Sequence, residues 1–287
     1  MSKVEFRNKV APLLRNLKFK LPSNRADNWN SRGVHVSQFM NTLSVFFPAG
    51  ERFFITSILN YRDQISDPQL QEDIKAFVGQ ESMHTREHLV YNQALIDAGF
   101  PVDKYMVGVE KLLGLLQTVA PKDAQLALTI ALEHLTATLG GVLLNEPDIM
   151  KGSESNFMNV WNWHAMEEVE HKGVAYDVWN EVMSNSAYSY TLRVSIFSLA
   201  QVIFWSLVMA FHVDMVRNSK QLLNIKGWGR CMNTLWGQPG ILRKISIEML
   251  HYFRPGYHPW QNDNRYLLED IEKFSSDVAK QYKLAAA

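Results

Sequence analysis

Two Glu-x-x-His pairs and two solitary glutamates stand on otherwise apolar helical stretches, and few folds can bury such a set. The pairs are Glu81 with His84 in QESMH and Glu168 with His171 in EEVEH. The solitary acids are Glu51 in FFPAGERFFITSIL and Glu133 in LTIALEHLTATLGG. Residues three apart on a helix project from nearly the same face, so each pair can meet one ion. One Glu from each of two helices, with Glu-x-x-His from each of two others, is the ligand set of dinuclear carboxylate four-helix bundles. Four buried carboxylates without counter-charge would cost several kcal/mol apiece. Two divalent cations would neutralise them, and the flanks of Glu51 and Glu133 offer few basic groups beyond Arg52.

The spacings fit that bundle. Glu51 and Glu81 are 30 residues apart, Glu133 and Glu168 are 35 apart, and Glu81 and Glu133 are 52 apart. At about 1.5 Å per residue, the two shorter distances suit half a helix down, a turn and half a helix up. The longer one suits the crossover that a ferritin-like bundle requires. The expected fold is therefore all-α, a ferritin-like four-helix bundle with a dinuclear metal site over 31–185. It is preceded by a basic arm at 1–30 and followed by a C-terminal helical extension at 186–282. Residues 283–287 read as vector-derived.

Neighbouring residues extend the constellation. At about 100° per residue, His164 shares the arc of Glu168 and His171 and is expected as a third imidazole ligand. Glu51, Glu81, His84, Glu133, Glu168 and His171 carry both the catalytic and the ligand assignment. His88, one turn beyond His84, is expected behind the ligands or facing substrate, and His134 as a packing histidine. Glu87, Glu167 and Glu170 are expected to be solvated or outside the ligand shell. His212, His251 and His258 receive no role.

Elsewhere the pattern is helical, with no long strand-like alternation. Helices are expected over 37–63 (started or bent at Pro48), from Asp67-Pro68 to Gly99, over 104–118, from Asp123 to Pro147, and over 155–183. The run 194–211 holds no charge over 18 positions, near the lower limit for crossing a bilayer, but three serines and Gln201 interrupt it. It reads as a buried or oligomer-facing helix, with membrane association the alternative. Gly227, Gly229, Gly237, Pro239 and Gly240 suggest a loop-rich connection before RPGYHPW and a last polar-faced helix. The arm carries Lys3, Arg7, Lys9, Arg15, Lys18 and Lys20 against Glu5 alone, and is expected to be solvated, with a membrane-surface or partner contact the alternative. It lacks the apolar core of a signal peptide. Lys+Arg and Asp+Glu balance at 29 each, which gives no ground for a nucleic-acid partner. Cys231 is the only cysteine, so neither an internal disulfide nor a thiolate metal cluster can form. A cytoplasmic location is expected, with the inner face of the membrane as a contact and a homodimer left open.

FFPAGERFF, FVGQESMHTREH, ALEH, WHAMEEVEHKGVAYDVW and RPGYHPW together resemble a bacterial family of predicted metal-dependent hydrolases, over roughly residues 30–275. The ligand pattern also resembles ferritin-like di-iron enzymes. The segment His164-x-x-x-Glu168-x-x-His171 is similar to that of arylamine N-oxygenases, in which an extra histidine joins the cluster. The first resemblance implies dinuclear metal-dependent hydrolysis. The second implies two irons (manganese and zinc being alternatives) that use O2 to oxidise a small apolar or aromatic substrate. Phe46, Phe47, Leu132 and Leu135 are expected to wall the substrate pocket. A non-catalytic metal-binding or membrane-linked role is the third reading.

Overall fold

The computed structural model describes residues 9–284 and is all-helical there, with no strand among the described residues. Four long helices make the bundle: α1 (Val34–Leu59), α2 (Pro68–Asp97), α4 (Lys122–Asn145) and α5 (Ser155–His171). α1 packs on α2 and α4 on α5, and the two hairpins meet through α1–α4 and α2–α5 contacts. The 98–121 crossover contains α3 (Val102–Val119), which lies against α1 and α2.

Local chemistry explains the ends. Asp67 caps α2 by accepting from the Gln69 and Leu70 amides at 2.8 and 3.3 Å, with Pro68 pre-set for the first turn. Glu154 caps α5 in the same way, through Asn156 and Phe157. α1 runs through Pro48 without starting afresh there. A mid-helix proline removes one amide donor and frees the carbonyl four residues earlier. That carbonyl, Ser44, instead accepts from the Asn92 side-chain amide of α2 at 3.1 Å.

The apolar core is split in two. One part gathers Val36–Ala49 of α1 with Tyr91, Leu135, Leu143 and the start of α5. The other gathers Phe53–Ile58 with Ile74, Phe77, Leu126–Ala131 and Val174. Glu51, Glu81, Glu133 and Glu168 fall between these parts along their respective helices, at the height where the hydrophobic layers part.

The expected 155–183 helix is broken at Lys172–Gly173, and α6 (Val174–Val182) follows. At the break the Lys172 side chain donates to Asn262 O at 2.7 Å and Asn264 Oδ1 at 2.5 Å, with its ammonium over the Trp260 ring. α7 (Ala187–Asn218) then runs along α4 and α1. It contains the charge-free run, and its most apolar 18-residue stretch has a mean hydropathy of 2.0 with only 17% of that stretch buried. α4 is also long and apolar enough to cross a membrane but is mostly buried. The expected loop over Gly227 and Gly229 is instead helix α8 (Ile225–Trp236), because Asn224 caps it through the Gly227 amide and Gly227 packs tightly on His35. α9 (Ile241–His251) and α10 (Ile271–Leu284) complete the chain. Of the supposed vector residues, 285–287 lie outside the described part.

The described part of the arm, residues 9–30, is not a freely solvated strand but packs on the bundle. Arg15, Leu17 and Phe19 are buried while Asn16, Lys18 and Lys20 face out, the two-residue alternation of an extended chain. Phe19 packs on Trp163 at 5.4 Å. Lys9 pairs with Asp263 at 3.2 Å. Lys3, Glu5 and Arg7 lie outside the described residues.

Candidate metal centre

Glu51 of α1, Glu81 and His84 of α2, Glu133 of α4, and His164, Glu168 and His171 of α5 converge in the gap between the two apolar parts, none more than 3% exposed. His171 Nε2 lies 3.1 Å from Glu81 Oε1, 3.6 Å from Glu133 Oε2 and 3.7 Å from Glu168 Oε2. His164 Nε2 lies 2.8 Å from Glu168 Oε1 and 3.8 Å from Glu51 Oε1. His84 Nδ1 lies 3.7 and 3.9 Å from Glu81 Oε1 and Glu168 Oε1. Among the described residues the donors form four overlapping groups: Glu51, His88 and His164; Glu51, Glu81 and His84; His84, His164 and Glu168; Glu81, Glu168 and His171. Glu51, Glu81, His84, His164 and Glu168 each belong to two of these groups, and Glu133 lies beside His171.

The fit to cations shows in atoms left unsatisfied. Glu51 Oε1, both oxygens of Glu81 and of Glu133, His84 Nδ1 and His171 Nε2 are buried without a hydrogen-bond partner. Each such atom costs about 1–3 kcal/mol, more when charged. So many converging lone pairs, all oxygen or nitrogen, make a donor set for iron, manganese or zinc.

Each imidazole is held from behind, the arrangement that aims a ligand nitrogen at a metal. His84 Nε2 is 3.0 Å from Glu167 Oε2. His171 Nδ1 is 2.9 Å from Gln80 Oε1, whose amide donates to Glu170 Oε2 at 2.6 Å and to Leu13 O at 2.9 Å. Behind His164 the proton positions follow from α1. The carbonyl freed by Pro48 takes the Asn92 amide nitrogen, so Asn92 Oδ1 faces the Ser44 hydroxyl at 2.8 Å and receives its proton. Ser44 Oγ must then accept from His88 Nδ1 at 2.8 Å, leaving His88 Nε2 to accept from His164 Nδ1 at 2.6 Å. His164 Nε2 is thereby turned to Glu168 Oε1 at 2.8 Å, where a proton or a cation would lie between them. His88 therefore sits behind His164.

Glu167, Glu170 and Glu87 are outside the ligand shell, and all three are buried rather than solvated. Arg15 makes that possible, with both terminal nitrogens 2.9 Å from the Glu170 oxygens and Nη1 3.6 Å from Glu167 Oε1. Glu87 takes the Phe19 amide at 2.8 Å and Arg86 Nε at 2.6 Å. Thr85 donates to Glu51 Oε2 at 2.9 Å and Thr136 to Glu168 Oε2 at 2.5 Å. Sequence reasoning missed Arg15, Gln80, Ser44, Asn92, Thr85 and Thr136. The period-two burial of Arg15, Leu17 and Phe19 was the one available signal for the arm. His134 is a packing residue, 3.2 Å from Glu248 O and 2.8 Å from Tyr257 Oη.

Burial, then repulsion from Glu81, pushes the Glu51 and Glu133 carboxyls well above their usual range. Burial acts the same way on Glu81 and Glu168, but the close approach of the His171 and His84 imidazoles holds Glu81 below that range. His164 and His171 hold Glu168 well below it. Burial opposes charge on the imidazoles, yet Glu167 and Glu81 lift His84 to about 10, and Glu168 and Glu81 lift His171 well above its ordinary value. Burial and His84 keep His164 at about 4. These directions favour protons on Glu51, Glu133, His84 and His171 when no metal is bound, positive charge that cations would otherwise supply.

A cavity of about 170 Å³ opens on this cluster at Glu51. Phe46, Phe47, Leu132 and Leu135 are on its wall, α7 closes it with Ile203 and Phe204, and only Glu51 and Thr136 line it with polar side chains. A narrower apolar cleft of about 50 Å³ reaches His164 and Glu168 between Phe47 and Trp161.

A family model described as "predicted metal-dependent hydrolase" matches residues 14–263, from the arm through the bundle to the C-terminal loops. The chain belongs to that family. No curated protein and no solved structure matches it. Family and buried cluster agree on a metal-dependent helical protein.

Proposed function

We propose that this chain is a dinuclear iron enzyme that uses O2 to oxidise a small apolar or aromatic molecule. The observation that carries the reading is the cavity beside Glu51, whose wall is apolar except for Glu51 and Thr136. Two irons held by Glu51, Glu81, His84, Glu133, His164, Glu168 and His171 would supply the electrons for O2 reduction. The remaining residues prepare the site. Ser44, Asn92 and His88 keep the proton of His164 on the side away from the cluster. Glu167 and Gln80 do the same for His84 and His171. Thr85 and Thr136 each fix one oxygen of a ligand carboxylate, leaving the other to turn inward. Phe46, Phe47 and the α7 side chains exclude water and select an apolar substrate.

The second reading is metal-dependent hydrolysis, favoured by the family's description. The same residues would hold zinc or manganese, which lowers the pKa of a bound water and polarises an ester, amide or phosphoryl group. Protein purified from iron-supplemented cells separates the two. The oxidative reading expects about two irons per chain and O2 consumption by the reduced protein. A colourless zinc protein that cleaves model esters and leaves O2 untouched would overturn it in favour of hydrolysis.

A further inference from the structure

The outer surface of α7, α8 and α9 has a composition that the metal centre does not explain. Between positions 215 and 247 the chain carries Arg217, Lys220, Lys226, Arg230, Arg243 and Lys244 and no acidic residue. Its nearest acids are Asp214, which pairs with Arg217, and Glu248, which pairs with His251. Lys244 is also engaged, by Glu146. The same stretch exposes large apolar side chains, with Leu223 90% and Ile225 84% accessible.

Helix geometry puts the two kinds of residue together. In α8 the buried residues Gly227, Cys231, Thr234 and Leu235 mark the inward face. At 100° per residue, the opposite face carries Met232, Ile225 and Trp236 in a strip, with Lys226 and Arg230 along one flank. In α9, Ile241, Leu242 and Ile245 point inward, and the outward side carries Arg243, Ile247 and Leu250. α8 and α9 pack against each other. α7 leads into them with an exposed stripe of Leu199, Val202, Ile203, Met209 and Val213 and no charge over 194–211.

We infer that α7, α8 and α9 form a surface that lies on an anionic lipid bilayer, with the apolar strip entering the headgroup region and the basic flank on the lipid phosphates. Apolar residues bordered by arginine and lysine, with tryptophan at the boundary, are what an in-plane interfacial helix presents. Each basic group near an anionic leaflet adds to binding. A second copy of the chain would carry the same positive charge and meet it with repulsion, so the charge pattern favours lipid over a homodimer. α7 lies along α1 and α4, which places it flat beside the bundle instead of standing alone across a membrane. Its inner side walls the cavity that opens on Glu51. If the centre acts on an apolar molecule, as proposed above, this arrangement sets the cavity beside the phase in which such molecules dissolve.

The test is flotation of the full chain with vesicles of phosphatidylcholine containing about one third phosphatidylglycerol, against phosphatidylcholine alone. Binding should be about tenfold stronger to the anionic vesicles and should fall as salt approaches the order of 1 M. Lys226→Glu with Arg230→Glu, all at exposed positions, should weaken it about tenfold or more. Leu223→Glu with Ile225→Glu should do the same, with the helical circular dichroism and metal content unchanged. Absence of flotation with either vesicle would overturn the inference, as would indifference to both pairs of substitutions. Two further outcomes would also overturn it: release from vesicles only by detergent, which marks a spanning helix, and a dimer disrupted by the same substitutions in a chain that binds no vesicle. The assay reads docking without turnover, so its failure leaves the reading of the metal centre intact.

Discussion

The proton on His164 is placed by His88, Ser44 and Asn92, a chain that leads away from the cluster. Ser44 links the proline-freed backbone of α1 to His88, and removing its hydroxyl releases the His88 tautomer. Ser44→Ala should therefore lower metal affinity about 10–100-fold, as loss of a group behind a ligand does. Glu133→Ala or Glu168→Ala should instead abolish one site or both. A competitive metal titration distinguishes them, and unchanged affinity in Ser44→Ala would refute the relay. Arg15 makes a different kind of contribution. Arg15→Met leaves the buried Glu170 carboxylate with only Gln80 and the Leu13 amide, an uncompensated charge that should cost about 3–5 kcal/mol. Adding Glu170→Gln should recover a good part of that loss, which denaturant unfolding would show. The inner residues were legible because helical spacing alone aligns Glu81 with His84 and Glu168 with His171. Ser44, Asn92 and Arg15 were not, since their partners lie tens of residues away or more and depend on helix packing that no local pattern reports.

Helices meet closely where the site demands it. A Cβ built on Gly140 of α4 would come within 2.9 Å of the Ala165 carbonyl oxygen of α5. Backbone cannot yield as a side-chain tip can, so Gly140→Ala should push α5 outward, taking His164 and Glu168 with it. Overpacking of this kind costs about 1–3 kcal/mol, and metal content should fall with stability. A fully loaded, equally stable Gly140→Ala protein would contradict this. Most helices and the short–long–short links of the bundle were readable from period and punctuation. The break at Lys172–Gly173 was not, because it depends on Asn262 and Asn264, some ninety residues away. Nor was α8, where Gly227 and Gly229 suggested a loop; Gly227 is there because a side chain would strike His35, a close approach visible only in three dimensions.

Across the whole molecule, four inner carboxylates, three outer ones and the three ligand imidazoles are buried by one charge arrangement, with Arg15 and Arg86 for the outer acids and cations or protons for the inner set. His84 is raised from 6.5 to about 10, so in the metal-free protein its stabilising contribution is complete below pH 6.5 and is lost as pH rises through about 10. The raised Glu51 and Glu133 act with the same sign, losing their contribution as pH climbs through their folded values. Melting of the metal-free protein should thus worsen on the alkaline side, whereas metal loading should displace these protons and bind more tightly as pH rises. Calorimetry in buffers of different ionisation heat reads the proton release; its absence near neutral pH would count against the shared-charge account. The central claim is convergence of the seven residues on a pair of ions. Diffraction from metal-loaded crystals at the absorption edge should give two anomalous peaks about 3.5–4 Å apart, bridged by Glu81 and Glu168 and flanked by Glu51 and Glu133. Ions bound elsewhere, or a loaded protein with no peak among these side chains, would contradict it.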